Sequence, residues 1–116
     1  MLKIHRFNCA GLDVHKNLIV ATIGITDKKT RVTEYIQKVF SSLNYDLYNL
    51  KNWLIEHKCF DVCMESTGKY WIPVFNVLET ESKMNIVLVH PKYVKAIKGK
   101  KTDKKDSKWI CDLFKH

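Results

Sequence analysis

Two acidic residues stand at the ends of apolar segments that have the composition of buried strands. Asp13 ends the apolar run that begins at Phe7, and Glu65 follows the short run from Asp61 to Met64. Unpaired burial of a carboxylate is very costly, so a buried acid is either paired or holds a metal ion. The alternatives are that Asp13 ends its strand and caps the next turn, and that Glu65 favours a helix start through the helix dipole.

A second pair of acids, Asp103 and Asp106, lies in the most basic part of the sequence. Their spacing places both on one face of a predicted helix, which begins near Thr102 and runs to the last residue. Ile110 and Phe114 continue that face, so the acids are predicted to turn toward the domain and the neighbouring lysines elsewhere. A solvated charge run would turn its acids outward, so the pattern argues against that alternative.

The composition fits one small domain with a polyanionic partner. The chain has 116 residues, is 46% hydrophobic and carries a net charge of +8, enough apolar residues to build a core. Eight lysines and two aspartates between Lys92 and Lys108 carry six of those net charges. Such a basic block is interpreted first as a binding site for nucleic acid, and a solvated lysine-rich loop is the alternative. The lysines predicted to bind the nucleic-acid backbone are Lys98, Lys100, Lys101, Lys104, Lys105 and Lys108.

The sequence has no feature of secretion or membrane insertion. No apolar run is long enough to span a bilayer, and Met1–Arg6 lacks the apolar stretch of a signal peptide. The four cysteines have no zinc-ligand spacing, so they are interpreted as thiols of a cytosolic protein. The predicted localisation is cytoplasmic, with no membrane partner.

The order of predicted elements would bring the acids together in a mixed α/β sheet. A three-strand antiparallel meander is followed by two parallel strands, with helices on both faces. If the first and fourth strands are parallel neighbours, Asp13 and Glu65 meet at one edge of the sheet. The fifth strand is apolar throughout and is predicted to lie in the sheet interior. The predicted strands are 7–13, 18–26, 31–40, 61–64 and 85–89, and the helices before the last one are 43–57 and 69–81.

Local signals mark the starts of these two helices. Ser41 or Ser42 can cap the first helix. Gly68 can adopt backbone angles that other residues avoid, directly before the second helix. Pro73 is compatible with the first turn of that helix.

Four clustered carboxylates predict a divalent-cation site. They repel one another, and they persist where hard cations neutralise them. Two Mg²⁺ ions about 4 Å apart would stabilise the attacking and leaving oxygens of phosphodiester displacement, with Mn²⁺ as an alternative ion. The lysine block would bind the nucleic-acid backbone beside them. His15, Lys16 and Lys69 lie near the acids in sequence, where a phosphate contact and a surface role both fit.

Three sequence blocks resemble the signature blocks of the DEDD transposases of bacterial insertion sequences, the group typified by insertion sequence 110. The blocks are Gly11–Lys16, Met64–Gly68 with Tyr70, and Lys101–Asp106, in the family's order and with family-like separations. The resemblance extends over nearly the whole chain, and it implies a RuvC-like, ribonuclease-H-type catalytic domain spanning residues 1–116. The acidic tetrad that it assigns to Mg²⁺ consists of Asp13, Glu65, Asp103 and Asp106.

The resemblance also implies a function and several partners. The function would be site-specific DNA recombination during transposition of a mobile element, related in chemistry to Holliday-junction resolution. Members of the family are understood to work as homo-oligomers, some of them guided by an element-encoded RNA.

Two departures from the family pattern stand out. Ser107 occupies the position after the last aspartate, where the family usually has alanine. Family members also carry a C-terminal domain with a serine nucleophile, which this sequence lacks. The chain is therefore expected to be a fragment of a longer protein, and the sequence leaves open whether it cleaves DNA by itself.

Three other classes of function would require different features of the sequence than a recombinase does, or would use the same acids differently. A structure-selective nuclease would need the same tetrad and would use an activated water. A basic nucleic-acid-binding module would contain only structural acids, so its binding would survive chelators. An actin-like ATPase would need a second glycine-rich phosphate loop, whereas the four glycines are scattered at Gly11, Gly24, Gly68 and Gly99.

Overall fold

The computed structural model describes residues 8–66 and 68–89. These residues form one five-stranded sheet and two helices. The elements in chain order are β1 (Asn8–Val14), β2 (Leu18–Thr26), β3 (Thr33–Ser41), α1 (Asn44–Glu56), β4 (Asp61–Ser66), α2 (Trp71–Leu78) and β5 (Asn85–Val89). The predicted helix that would contain Asp103 and Asp106, and the lysine block beside it, lie outside the described residues.

The sheet is mixed and has the strand order β3-β2-β1-β4-β5. Strands β1, β2 and β3 form an antiparallel meander, while β4 is parallel to both β1 and β5. The predicted meander and parallel strands are confirmed. Both predicted helices are shorter than expected, and α2 starts two residues later, after the turn made by Gly68.

Short connections fix the meander. The first hairpin closes where the His15 N–H donates to the Leu18 carbonyl at 2.9 Å, leaving Lys16 and Asn17 in a two-residue turn. The second hairpin is organised by Asp27, whose carboxylate accepts backbone N–H bonds within the turn. The sheet register is therefore set locally for its first three strands.

One face of the sheet carries the hydrophobic core. Alternate residues of the strands point to this face, among them Leu12, Ile23 and Met64, all fully buried. Helices α1 and α2 cover it and contact each other; Leu50 of α1 and Leu78 of α2 belong to the same cluster. Both described helices therefore lie on one face. The sequence predicted helices on both faces, and the predicted C-terminal helix lies outside the described residues.

The start of α1 differs from the prediction. The N-cap residue is Leu43, which makes no side-chain capping bond. Instead, the Asp46 carboxylate in the first turn accepts a bond from the Ser41 backbone N–H and another from Asn49 Nδ2 at 3.0 Å. The prediction of a serine cap was wrong, because an acid one turn inside the helix reaches back to the strand end.

Strand β5 does not lie in the interior of the sheet that the described residues form. It pairs only with β4 in the strand order, and Val87 and Leu88 are 38% and 46% exposed. The prediction failed because an unbroken apolar run does not distinguish a strand with two neighbours from a strand with one.

Within the described ranges, neither helix has the length and apolar character needed to cross a bilayer.

Candidate active site

Asp13 and Glu65 lie side by side on neighbouring parallel strands. They are direct register partners between β1 and β4. Since Leu12 and Val14 point into the core, alternation turns Asp13 to the opposite face of the sheet. Glu65 points to that face for the same reason, because Met64 points into the core. The predicted meeting of these two acids at one edge of the sheet is confirmed.

Both acids are deeply buried near the carboxyl ends of their strands. Asp13 is 1% exposed and Glu65 is 3% exposed. The strands continue one residue beyond each acid, to Val14 and Ser66, so neither carboxylate belongs to a turn. Asp13 therefore does not end its strand, and Glu65 does not begin a helix, since α2 starts at Trp71. The carboxyl edge of parallel strands is where open α/β sheets place their ligands.

His15 is the third ionisable group at this position. Its Nε2 lies 3.1 Å from Asp13 Oδ2, and its side chain is 32% exposed. His15 follows Asp13 by two residues along the chain, which places both side chains on the same face. From the sequence, both a phosphate contact and a surface role were possible for His15. The two-residue spacing from a buried acid was the signal that could have identified the contact.

Gly68 forms the turn that leads from β4 toward α2. Its φ is +63°, in the left-handed region that glycine adopts without strain. A Cβ atom at this position would meet nothing within 4 Å. The requirement for glycine is therefore one of backbone conformation, as the sequence predicted, and not of space. This turn ends the strand that carries Glu65.

The donor set fits a hard divalent cation, although it is incomplete within the described residues. Two adjacent buried carboxylates offer oxygen ligands of the kind that Mg²⁺ prefers. Among residues 8–66 and 68–89, no three His, Cys, Asp or Glu side chains converge in a way that could hold a metal ion. Asp103 and Asp106, the other two predicted ligands, lie outside those ranges. So do the six lysines predicted to bind nucleic acid.

Comparison with solved structures defines the class of fold. Thermus thermophilus RuvC in complex with a Holliday junction substrate is similar with a TM-score of 0.64, at 9% identity over 90% of each chain. A fowlpox virus resolvase, solved with Holliday junction DNA, is similar with a TM-score of 0.62, at 11% identity. That likeness covers 91% of this chain and 97% of the viral one. The domain therefore has the RuvC-like, ribonuclease-H-like fold.

A broader likeness extends to another group with this kind of sheet. The Aquifex aeolicus member of the Ppx/GppA family has a TM-score of 0.52 and 12% identity. The likeness covers 76% of this chain and only 36% of that one. It shows a common fold and no more.

The sequence identifies the family within this class. Residues 10–116 match the DEDD transposases of the insertion-sequence-110 type, whose family description is transposase. The chain belongs to this family, which confirms the resemblance of its three signature blocks. No curated protein matches the sequence. The fold and the family together make this a domain of the nuclease or transposase type.

Proposed function

We propose that this chain is the metal-dependent catalytic domain of a transposase that cleaves and joins DNA phosphodiesters during movement of an insertion sequence. The observation that carries the proposal is the register pairing of Asp13 with Glu65 at the carboxyl edge of the sheet, with both side chains buried. A structural pair of acids has little reason to be packed side by side, because like charges at that spacing repel.

The residues that would hold metal are Asp13 and Glu65, joined in the proposal by Asp103 and Asp106. Their carboxylate oxygens are suitable ligands for Mg²⁺ or Mn²⁺. As in the prediction from the sequence, two ions are proposed. When bound, such ions stabilise the negative charge that develops on the attacking and leaving oxygens. The sheet contributes rigidity, since both described acids stand on hydrogen-bonded strands and not on loops.

DNA is the proposed partner of the lysine block. Lys98, Lys100, Lys101, Lys104, Lys105 and Lys108 follow β5 in the sequence, and two acids of the proposed tetrad, Asp103 and Asp106, are interspersed among them. Lysines at this position would bind the phosphate backbone and give affinity that falls with salt. Homo-oligomer formation and an RNA guide are further parts of the proposal that come from the family. A C-terminal domain with a serine nucleophile, which the family implies, is a further part of the proposed catalytic unit.

The first experiment is a titration of Mn²⁺ into the chain, followed by thermal unfolding. A ligand that binds only the folded state raises the midpoint as its concentration rises, by about 2.7 kcal/mol at 100 times its dissociation constant. We expect this rise in wild type and its loss in Asp13→Asn and Glu65→Gln. The matched control is Asp61→Asn, which removes an acid from the same strand and the same face as Glu65 while leaving the proposed site intact.

DNA binding separates the proposal from a non-catalytic basic module. In the proposed site, the metal screens four acids that otherwise face the DNA backbone, so chelation should weaken binding to a DNA duplex. Binding that is unchanged by EDTA and by Asp13→Asn would favour the module. A wild-type midpoint that does not respond to Mn²⁺ would contradict a metal site in this domain.

A further inference from the structure

His15 stands just past the end of β1, where backbone hydrogen bonds hold the first hairpin. Its N–H donates to the Leu18 carbonyl at 2.9 Å, which closes the first hairpin over two residues. The Asn17 carbonyl in that turn accepts a bond from the Ser42 N–H at 3.2 Å, which ties the turn to the end of β3. The Cα of His15 is therefore fixed relative to both neighbouring strands.

The side chain of His15 contacts one acid of the proposed metal site. Asp13 has Glu65 beside it on β4, and His15 lies two residues further along the chain, just past the end of β1. The His15 Nε2 atom is 3.1 Å from Asp13 Oδ2, while the Asp13 side chain is only 2% exposed. A buried carboxylate in contact with an anchored imidazole has little freedom to rotate. Both contacting atoms are buried, although about a third of the His15 side chain is exposed.

His15 is better described as a support for Asp13 than as an additional ligand. Although it contacts Asp13, these two residues and Glu65 do not meet the geometry of a three-ligand metal group within the described part of the chain. Carboxylates that bind metal are commonly held by an outer partner, and loss of that partner typically weakens metal binding about 10- to 100-fold.

We infer that His15 is a positioning residue for the metal site, holding the Asp13 carboxylate through its Nε2 atom. The inference rests on the proposed function of the same acids and assigns a role outside the acidic tetrad. The contact is a 3.1 Å approach of two buried atoms and is not aligned as a hydrogen bond in this structure. A side chain that carries an N–H group at a similar distance from the backbone should preserve part of the effect on metal affinity.

Mn²⁺ affinity measured by electron paramagnetic resonance of the free ion tests this role without any assay of activity. We expect the dissociation constant to rise about 10- to 100-fold in His15→Ala. His15→Gln, whose amide nitrogen reaches a similar position, should recover a substantial part of that loss. Lys16→Ala removes the exposed neighbouring side chain in the same turn and should leave the constant at the wild-type value.

A second control separates positioning from general loss of stability. Val77→Ala truncates a buried core residue of α2 on the opposite face of the sheet. It should lower the unfolding midpoint without changing Mn²⁺ affinity. If His15→Ala behaves like Val77→Ala, with lower stability and unchanged affinity, then His15 is structural and the inference is overturned.

The remaining outcomes distinguish failure of this inference from failure of the proposed function. Loss of Mn²⁺ binding in Asp13→Asn together with unchanged or tighter binding in His15→Ala would refute the role of His15 alone. A Gln variant as weak as the Ala variant would contradict the role of the nitrogen atom. Absence of Mn²⁺ binding to wild type would refute both.

Discussion

Removal of one charge from the paired carboxylates should stabilise the metal-free domain. Asp13 and Glu65 are register partners on adjacent parallel strands and are almost fully buried. Without metal, their like charges oppose folding. The more informative single variant is Glu65→Gln, because it keeps the contact between Asp13 and the His15 ring.

The expected gain follows from the spacing of the strands. Adjacent strands lie about 4.8 Å apart, so two charges held about 5 Å apart repel by roughly 3 kcal/mol at an effective dielectric constant near 20. The substituted amide also loses some polar contacts of the carboxylate, at about 1 kcal/mol each. We therefore expect a net gain of about 1–2 kcal/mol, or a rise of roughly 4–8 °C in the midpoint for each kcal/mol.

Urea unfolding in EDTA near neutral pH measures this gain directly, and a double-mutant cycle tests its cause. If repulsion is responsible, Glu65→Gln and Asp13→Asn each remove the whole of it, so the double variant should be no more stable than the better single variant. Additive gains would show that the two charges do not interact. Loss of stability in both single variants would refute the reasoning and would make these acids structural.

Three further predictions concern other parts of the molecule. Gly68→Ala should cost about 1–2 kcal/mol in urea unfolding, because the φ of +63° is unfavourable for alanine while its Cβ meets no atom within 4 Å; an equal stability would contradict this. The pKa of Asp46 is lowered, chiefly by the hydrogen bond from Asn49, so its stabilising effect is present above its unfolded pKa and is lost as pH falls through the lowered value. Asp46→Asn should therefore flatten the acid side of the midpoint-against-pH curve, and an unchanged slope would refute that origin. Replacement of both Lys104 and Lys105 by alanine should reduce the slope of log affinity for duplex DNA against log salt by about 0.9 for each lost phosphate contact, whereas an unchanged slope would place both lysines away from DNA.

The strands could be predicted because they depend on local pattern. β-branched residues over Leu18–Thr26 indicated a strand, and its observed bounds are the predicted ones. The stripe Leu43, Leu47, Leu50 and Leu54 was predicted to be core, and its last three members are buried, whereas Leu43 is exposed at the N-cap. Signals that depend on a partner elsewhere were weaker. The prediction of a serine cap was wrong. The Ser41 backbone N–H instead donates a hydrogen bond to the carboxylate of Asp46, in the first turn of α1.

The residues of the candidate site could be predicted from the sequence. Their spatial arrangement could be predicted only on a condition about the strand order. The sequence identified Asp13 and Glu65 and stated the condition for their meeting, namely that β1 and β4 are parallel neighbours. It did not identify the contact of His15, since a histidine at a strand end has many structural uses. The placement of Asp103 and Asp106 beside the first two acids remains a prediction.

What the sequence determined by itself is that each of the two acids stands near the end of an apolar strand. In the structure, Leu12 and Met64 point into the core, and the period of two then turns the acids to the opposite face. The tertiary structure decided the register between β1 and β4. A slip of two residues would keep every side chain on its face and still move Glu65 about 6.6 Å along the strand, away from Asp13. Local pattern cannot distinguish such registers, because they bury the same faces; only the packing of the connecting elements over the sheet selects the one that brings the two carboxylates together.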